Sequence, residues 1–169
     1  MPFTPIHMGP GIFIKAFLQG SFSLMVFGWA QILMDIQPLI VLLTGEGHLH
    51  GFSHTYIGAS LLAIVATLTG KYLSEFGLIV LGVAKKDNPI KIVWWVATCS
   101  AFIGTFSHVA IDSIMHGDIE PFYPLSIPNN LLGIITVEQL HKLCLYSGLA
   151  GAFFYFLVQF FSNKKGLRT

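Results

Sequence analysis

Four apolar runs, each long enough to cross a lipid bilayer, constrain this chain more than any other feature. They cover Ser21 to about Thr44, Thr55 to Ala84, Ile92 to about Met115, and His141 to Phe161. A bilayer core of about 30 Å takes roughly 20 apolar residues as a helix, and within hydrocarbon a helix satisfies its own backbone groups. The runs therefore predict an all-α integral membrane bundle of about four spans. A shorter helix at about 8–19 precedes them, and the whole of 1–169 forms a single domain. Composition agrees: 54% of residues are hydrophobic and 10% charged, against roughly 25% charged in soluble domains. The nine Lys and Arg sit in small clusters and the net charge is +1, which excludes the continuous basic face of a nucleic-acid binder. The segment MPFTPIHMGPG has neither a basic n-region nor a small-residue cleavage site, so no cleavable signal peptide is expected.

Local signals refine the layout. Pro38 is expected to end or kink the first long helix just after Asp35. GEGHLHGFSH, residues 45–54, reads as a loop. The second run exceeds one span and contains Lys71 and Glu75, so its helix is expected to tilt strongly or to leave the bilayer near Lys71. Four-residue spacing lets Lys71 and Glu75 pair. Thr136-Val137-Glu138-Gln139 fits a capping box. Trp94 and Trp95 at one end, with Phe122 and Tyr123 at the other, fit interfacial anchors. Cys99 and Cys144 fall in different runs and are expected to be unpaired. Lys85, Lys86 and Lys91 flank one connection and Lys164, Lys165 and Arg168 follow the last run, whereas 45–54 and 116–140 contain no Lys or Arg. Positive charge marks the cytoplasmic side, so those two loops are expected on the opposite face.

Against this apolar background the polar residues stand out. TFSHVAIDSIMH, residues 105–116, spaces His108, Asp112 and His116 four apart, which predicts one helical stripe. A lone histidine on an apolar helix is usually a satisfied core residue. Three ionisable groups on one stripe need partners, because burying an unpaired carboxylate at that depth costs several kcal/mol. Asp35 lies in QILMDIQPLI with no basic residue within a turn, and His54 opens the second run. An ion pair, an interhelical hydrogen bond or a metal ion would each satisfy this set. Asp35, His54, His108 and Asp112 form a nitrogen and oxygen donor set that suits a divalent metal, zinc if four-coordinate and manganese or iron if larger. His48 and His50 lie in the loop, where a solvated or substrate-facing role is as reasonable as ligation.

In their order along the chain, TPIH at His7, DIQP at Asp35, GFSHT at His54, and SHVAID followed by FYP resemble the YdjM-like family. These are bacterial inner-membrane, LexA-regulated proteins regarded as metal-dependent hydrolases, and the resemblance covers roughly residues 1–125. Ile36 and Gln37 stand where the family commonly has a DxDH pattern, His50 where an arginine often sits, and Met115-His116 where Thr-Pro is usual. The resemblance implies that His7 joins the metal ligands. For that, its N-terminus must start on the non-cytoplasmic side, or the short first helix must dip into the membrane and return at Gly20-Ser21. It also implies hydrolysis of an ester or phosphoester of a lipid-borne or amphipathic substrate by a metal-activated water, at a site toward the non-cytoplasmic face of the bacterial inner membrane. His116 or His50 would then act as general acid or bind the substrate's anionic part. Two other classes stay open: a divalent-cation or proton transporter component, and a structural membrane protein whose polar cluster locks helices together.

The charge asymmetry sets a topology that reporter fusions can read. A reporter active only outside the cytoplasm is expected to be active when inserted in 116–136 and inactive in 85–91; the reverse pattern would overturn the orientation.

Overall fold

The computed structural model describes residues 5–85 and 87–166, which form five α-helices and no strands. After a short 3-10 turn at Pro5–His7 come α1 (Met8–Leu18), α2 (Leu24–Thr44), α3 (Tyr56–Val80), α4 (Trp94–Met115) and α5 (Val137–Gly166). Helices α2 to α5 are long and apolar enough to cross a membrane. Met1 to Thr4, part of the segment read for a signal peptide, lie outside the described residues, as do Lys86 and Arg168 from the charge asymmetry.

Several boundaries differ from expectation for identifiable reasons. Helix α2 continues through Pro38 to Thr44; proline is tolerated within membrane helices, where ending the helix would strand several more backbone groups in hydrocarbon. Helix α3 runs past Lys71 for nine further residues and stops at a turn completed by Gly82, whose φ is 71°. The Lys71 ammonium is 2.5 Å from Glu75 Oε1 and lies over the rings of Tyr72 and Trp94 at 5.0 and 5.3 Å, so the charge is paired where the helix continues. Glu75 Oε1 also accepts the Ile92 N–H at 2.8 Å, tying α3 to the chain entering α4. Helix α5 starts at Val137 rather than 141, since the capping box forms reciprocally: Gln139 N–H donates to Thr136 Oγ1 at 3.2 Å and Thr136 N–H to Gln139 Oε1 at 3.0 Å.

Small residues set the packing. Ala30 on α2, Ala63 and Ala66 on α3, and Ala97 and Ala101 on α4 are fully buried in one cluster with Val26 and Val96. With so little side chain between them, α2, α3 and α4 approach closely, as membrane helices do. Helix α1 packs chiefly on α5. A Cβ on Gly9 would stand 1.9 Å from the Cys144 carbonyl oxygen, and one on Gly151 would stand 2.5 Å from the Phe13 backbone. Both cysteines are unpaired, Cys144 buried and Cys99 exposed.

With 11 residues, α1 spans about 16 Å, roughly half the thickness of a bilayer core. It meets α2 through the turn at Gln19–Ser21 and runs back beside it, which brings His7 within 3.6 Å of Asp112 on α4. Thus the short first helix places His7 deep in the bundle. At that end the 116–136 connection folds back over α4: Tyr56 N–H donates to Pro121 O at 2.8 Å, Asn129 Nδ2 to Ser113 O at 2.9 Å, and Gly133 N–H to Ile114 O at 3.1 Å.

The α1–α5 seam carries a sharp expectation. Gly9→Ala places a methyl group against backbone and is expected to cost on the order of 1–3 kcal/mol, whereas Gly20→Ala, with nothing within 4 Å of its Cβ, is expected to be silent. Thermal unfolding in detergent would separate them, and equal melting temperatures would show that the seam is not tightly packed.

Candidate metal centre

Five residues predicted as ligands meet in one place. His7 ends the first 3-10 turn, Asp35 lies on α2, His54 ends the 3-10 turn at Phe52–His54, and His108 and Asp112 occupy successive turns of α4. All five are buried, His54 and His108 to 1% exposure. Asp112 is the focus: its Oδ2 lies 3.1 Å from His108 Nε2 and 3.4 Å from His54 Nε2, and its Oδ1 lies 3.6 Å from His7 Nε2. Asp35 Oδ1 is 3.5 Å from His108 Nε2. The His7 and His54 rings both stand edge-on to His108, at 5.1 and 5.3 Å between centroids.

Local structure explains each position. Thr55 caps α3 by accepting the Gly58 N–H at 2.9 Å, which fixes the residue next to His54. Gly58 is buried at the same helix start. It makes room for the preceding turn, since a Cβ there would lie 1.9 Å from the Phe52 carbonyl oxygen. Gln37 clamps the same loop to α2, accepting the Ser53 N–H at 3.1 Å and donating to His48 O at 3.4 Å.

Hydrogen bonds orient the histidine rings. Gln31 Nε2 donates to Gly104 O at 3.1 Å, which turns its Oε1 toward His108 Nδ1 at 2.6 Å. An amide oxygen only accepts, so Nδ1 carries a proton and Nε2 is the nitrogen that faces the two carboxylates. His54 Nδ1 is paired with Ser53 Oγ at 2.9 Å, again leaving Nε2 inward. Among the described residues, the Nε2 atoms of His7, His54 and His108 and the Nδ1 of His7 are buried without a hydrogen-bond partner. Buried polar atoms are normally satisfied. Three imidazole nitrogens aimed at two carboxylates, with none of the three in hydrogen-bond geometry, are what a cation would satisfy. Burial lowers the pKa of His7 to about 4, with Asp112 opposing, and lowers that of His54 as well. Both are therefore neutral at pH 7 and able to ligate.

Ligating atoms of His7, His108 and Asp112 lie within 4.8 Å of one another, as do those of Asp35, His54 and His108. The two sets share His108 and can hold a metal ion. A divalent cation facing two carboxylates and three neutral imidazoles gives no net charge, the least costly state in a low-dielectric interior.

His116 departs from the predicted stripe. Helix α4 ends at Met115, and His116 is extended at φ −117°, ψ 123°, so its ring leaves the Asp112 face and stacks on His50 at 4.2 Å. Burial lowers the His116 pKa, and the neighbouring His50 adds to this. His50 Nδ1 lies 2.9 and 3.0 Å from the two oxygens of Asp118. Although burial raises the Asp118 pKa, the His50 hydrogen bond and charge outweigh it and leave the carboxyl below its usual range. His48, His50, Gly51, Thr55, Asp118, Glu120 and Tyr123 line a cavity of about 370 Å³ on this side of the centre.

Three participants were not singled out as candidates in the sequence: Gln31, Ser53 and Asp118. Gln31 could have been found, because it precedes Asp35 by one helical turn and so shares its face. Asp118 carries no comparable periodic signal. No protein family, curated protein or solved structure matches the chain.

If Gln31 orients His108, Gln31→Leu removes the acceptor while keeping the volume similar. Metal affinity is then expected to fall by about 10–100-fold, measured by competition with a chromophoric chelator. Unchanged affinity would show that His108 needs no such support.

Proposed function

We propose that the protein is a metal-dependent hydrolase of the membrane, cleaving an ester or phosphoester of a lipid-borne or amphipathic substrate. Zinc is the favoured metal, and the bacterial inner membrane is the favoured location, with the centre toward the non-cytoplasmic face. The observation that carries this reading is the convergence of three orphaned, buried Nε2 atoms on Asp112 and Asp35 beside a cavity lined by more exposed residues. The motif resemblance supplies the reaction class.

A divalent cation bound here would act as a Lewis acid and lower the pKa of water toward neutrality. The chain's own residues do the rest. His7, Asp35, His54, His108 and Asp112 hold the ion, while Gln31 and Ser53 orient the rings of His108 and His54 so that Nε2 faces inward. His50 and His116, at the outer side, are the groups available to the leaving group. Leu49, Phe52, Phe122, Tyr123 and Leu125 are exposed on the loops around the cavity, an apolar rim suited to a substrate whose tail stays in the bilayer.

Transport is less well supported by the helices below the centre. Ser100 is fully buried and accepts the Ser23 N–H at 2.8 Å, and Thr67 donates to the Ala63 carbonyl in its own helix at 2.8 Å. Those hydroxyls are spent on local structure, and Lys71 and Glu75 are occupied with each other.

Metal analysis of detergent-purified protein tests the proposal. Wild type is expected to carry stoichiometric transition metal, and His108→Ala and Asp35→Asn to lose it. Chelator-treated wild type is expected to lose esterase or phosphoesterase activity on micellar substrates and to regain it with zinc. Metal-free wild type with unaltered activity would sink the hydrolase reading.

A further inference from the structure

A second group of ligating side chains stands on the more exposed side of the centre. His50 comes from the 45–55 loop, His116 from the C-cap of α4 and Asp118 from two residues beyond, and one ligating atom from each lies within 4.8 Å of the others. Donors held about 2.0–2.2 Å from one ion are within about 4.4 Å of one another, so the trio is close to closing on a cation as it stands. A simple ion pair between His50 and Asp118 would use only two of the three. It would not account for His116, brought from another segment to 4.2 Å from the His50 ring.

Nor is the trio independent of the inner residues. His50, His54 and Asp112 form another set with the same spacing, and the His50 and His54 rings are 5.0 Å apart. Asp112 therefore belongs to an inner set with His7 and His108 and to a linking set with His50 and His54. A carboxylate has two oxygens and can serve two cations at once. The outer trio is also held in place by the elements that build the centre: Gln37 pins the loop on either side of His50, and the His116 N–H donates to Asp112 O at 2.9 Å.

We propose that His50, His116 and Asp118 form a second divalent-cation site, joined to the inner centre through Asp112 and His54, and that the substrate is a phosphoester. This rests on the hydrolase reading above and narrows it. Paired cations about 3.5–4 Å apart stabilise both the attacking and the leaving oxygen of a displacement at phosphorus. In that reaction the water oxygen bonds to phosphorus and the bond from phosphorus to the leaving oxygen breaks. One proton of the water ends on the leaving alcohol and the other stays with the phosphate. His50 and His116 then act as ligands, and the outer cation, in place of a protonated imidazole, stabilises the leaving oxygen.

Manganese titration of the metal-free full chain in detergent, read by elemental analysis and electron paramagnetic resonance, tests the pair. Wild type is expected to bind two Mn²⁺ per chain with an exchange-coupled spectrum. His116→Ala and Asp118→Asn, both away from the buried core, are each expected to bind one and to give an uncoupled six-line signal. One uncoupled Mn²⁺ in wild type, unchanged by either variant, would overturn the second site while leaving the inner centre standing. No bound Mn²⁺ in wild type would overturn both. For the substrate class, a two-metal wild type that cleaves micellar carboxylic esters but not phosphoesters would overturn that part alone.

Discussion

The electrostatic cost of burying carboxylates and imidazoles in a low-dielectric bundle is the constraint on which the rest of the structure depends. Asp35 and Asp112 are 7% and 4% exposed in a chain whose outer surfaces are largely aliphatic and aromatic. Such groups persist only where opposite charge and directed dipoles surround them. Everything near them serves that end: two helices and two 3-10 turns bring Asp35, His7 and His54 to His108 and Asp112. The small-residue seams that let α2, α3 and α4 approach closely are what make the convergence possible. Bulkier side chains along those seams would hold Asp35 too far from His108 for one cation to serve both.

The same constraint explains why the supporting polar residues are so fully committed. Gln31 uses its amine on Gly104 and its oxygen on His108, and Gln37 uses both ends of its amide on the loop that carries His54. A buried amide with one end unsatisfied would weaken the fold. With both ends satisfied, each glutamine becomes a positioning device for a neighbouring imidazole. Away from the centre, Lys71 and Glu75 neutralise each other and the capping hydroxyls of Ser23 and Thr136 close their own helix starts. Polarity is thus concentrated at one end of the bundle, where an inner buried group gives way to the half-exposed His50, His116 and Asp118.

Much of this was legible in the chain, and the reason is the solvent. In a membrane helix every ionisable residue is an exception, so Asp35, His108 and Asp112 announce themselves against their neighbours. His54 does so at the start of α3. His7 became a candidate only through the resemblance of TPIH to a family pattern, because nothing in its local sequence sets it apart. What misled was local inference carried too far. Pro38 does not end α2, and the four-residue spacing that unites His108 with Asp112 stops short of His116, since the helix itself stops at Met115.

By itself, then, the sequence determined the helical membrane architecture, the number of long apolar helices and the residues that would have to meet. Hydropathy and helical periodicity are local properties, written in consecutive residues. Only the tertiary structure decided that α1 folds back to deliver His7, that Gln31 and Ser53 orient the rings of His108 and His54, and that Asp118 joins His50 and His116. Those contacts join residues as many as 105 positions apart, as in the approach of His7 to Asp112. No local pattern encodes them; they follow from which helix faces are small enough to touch.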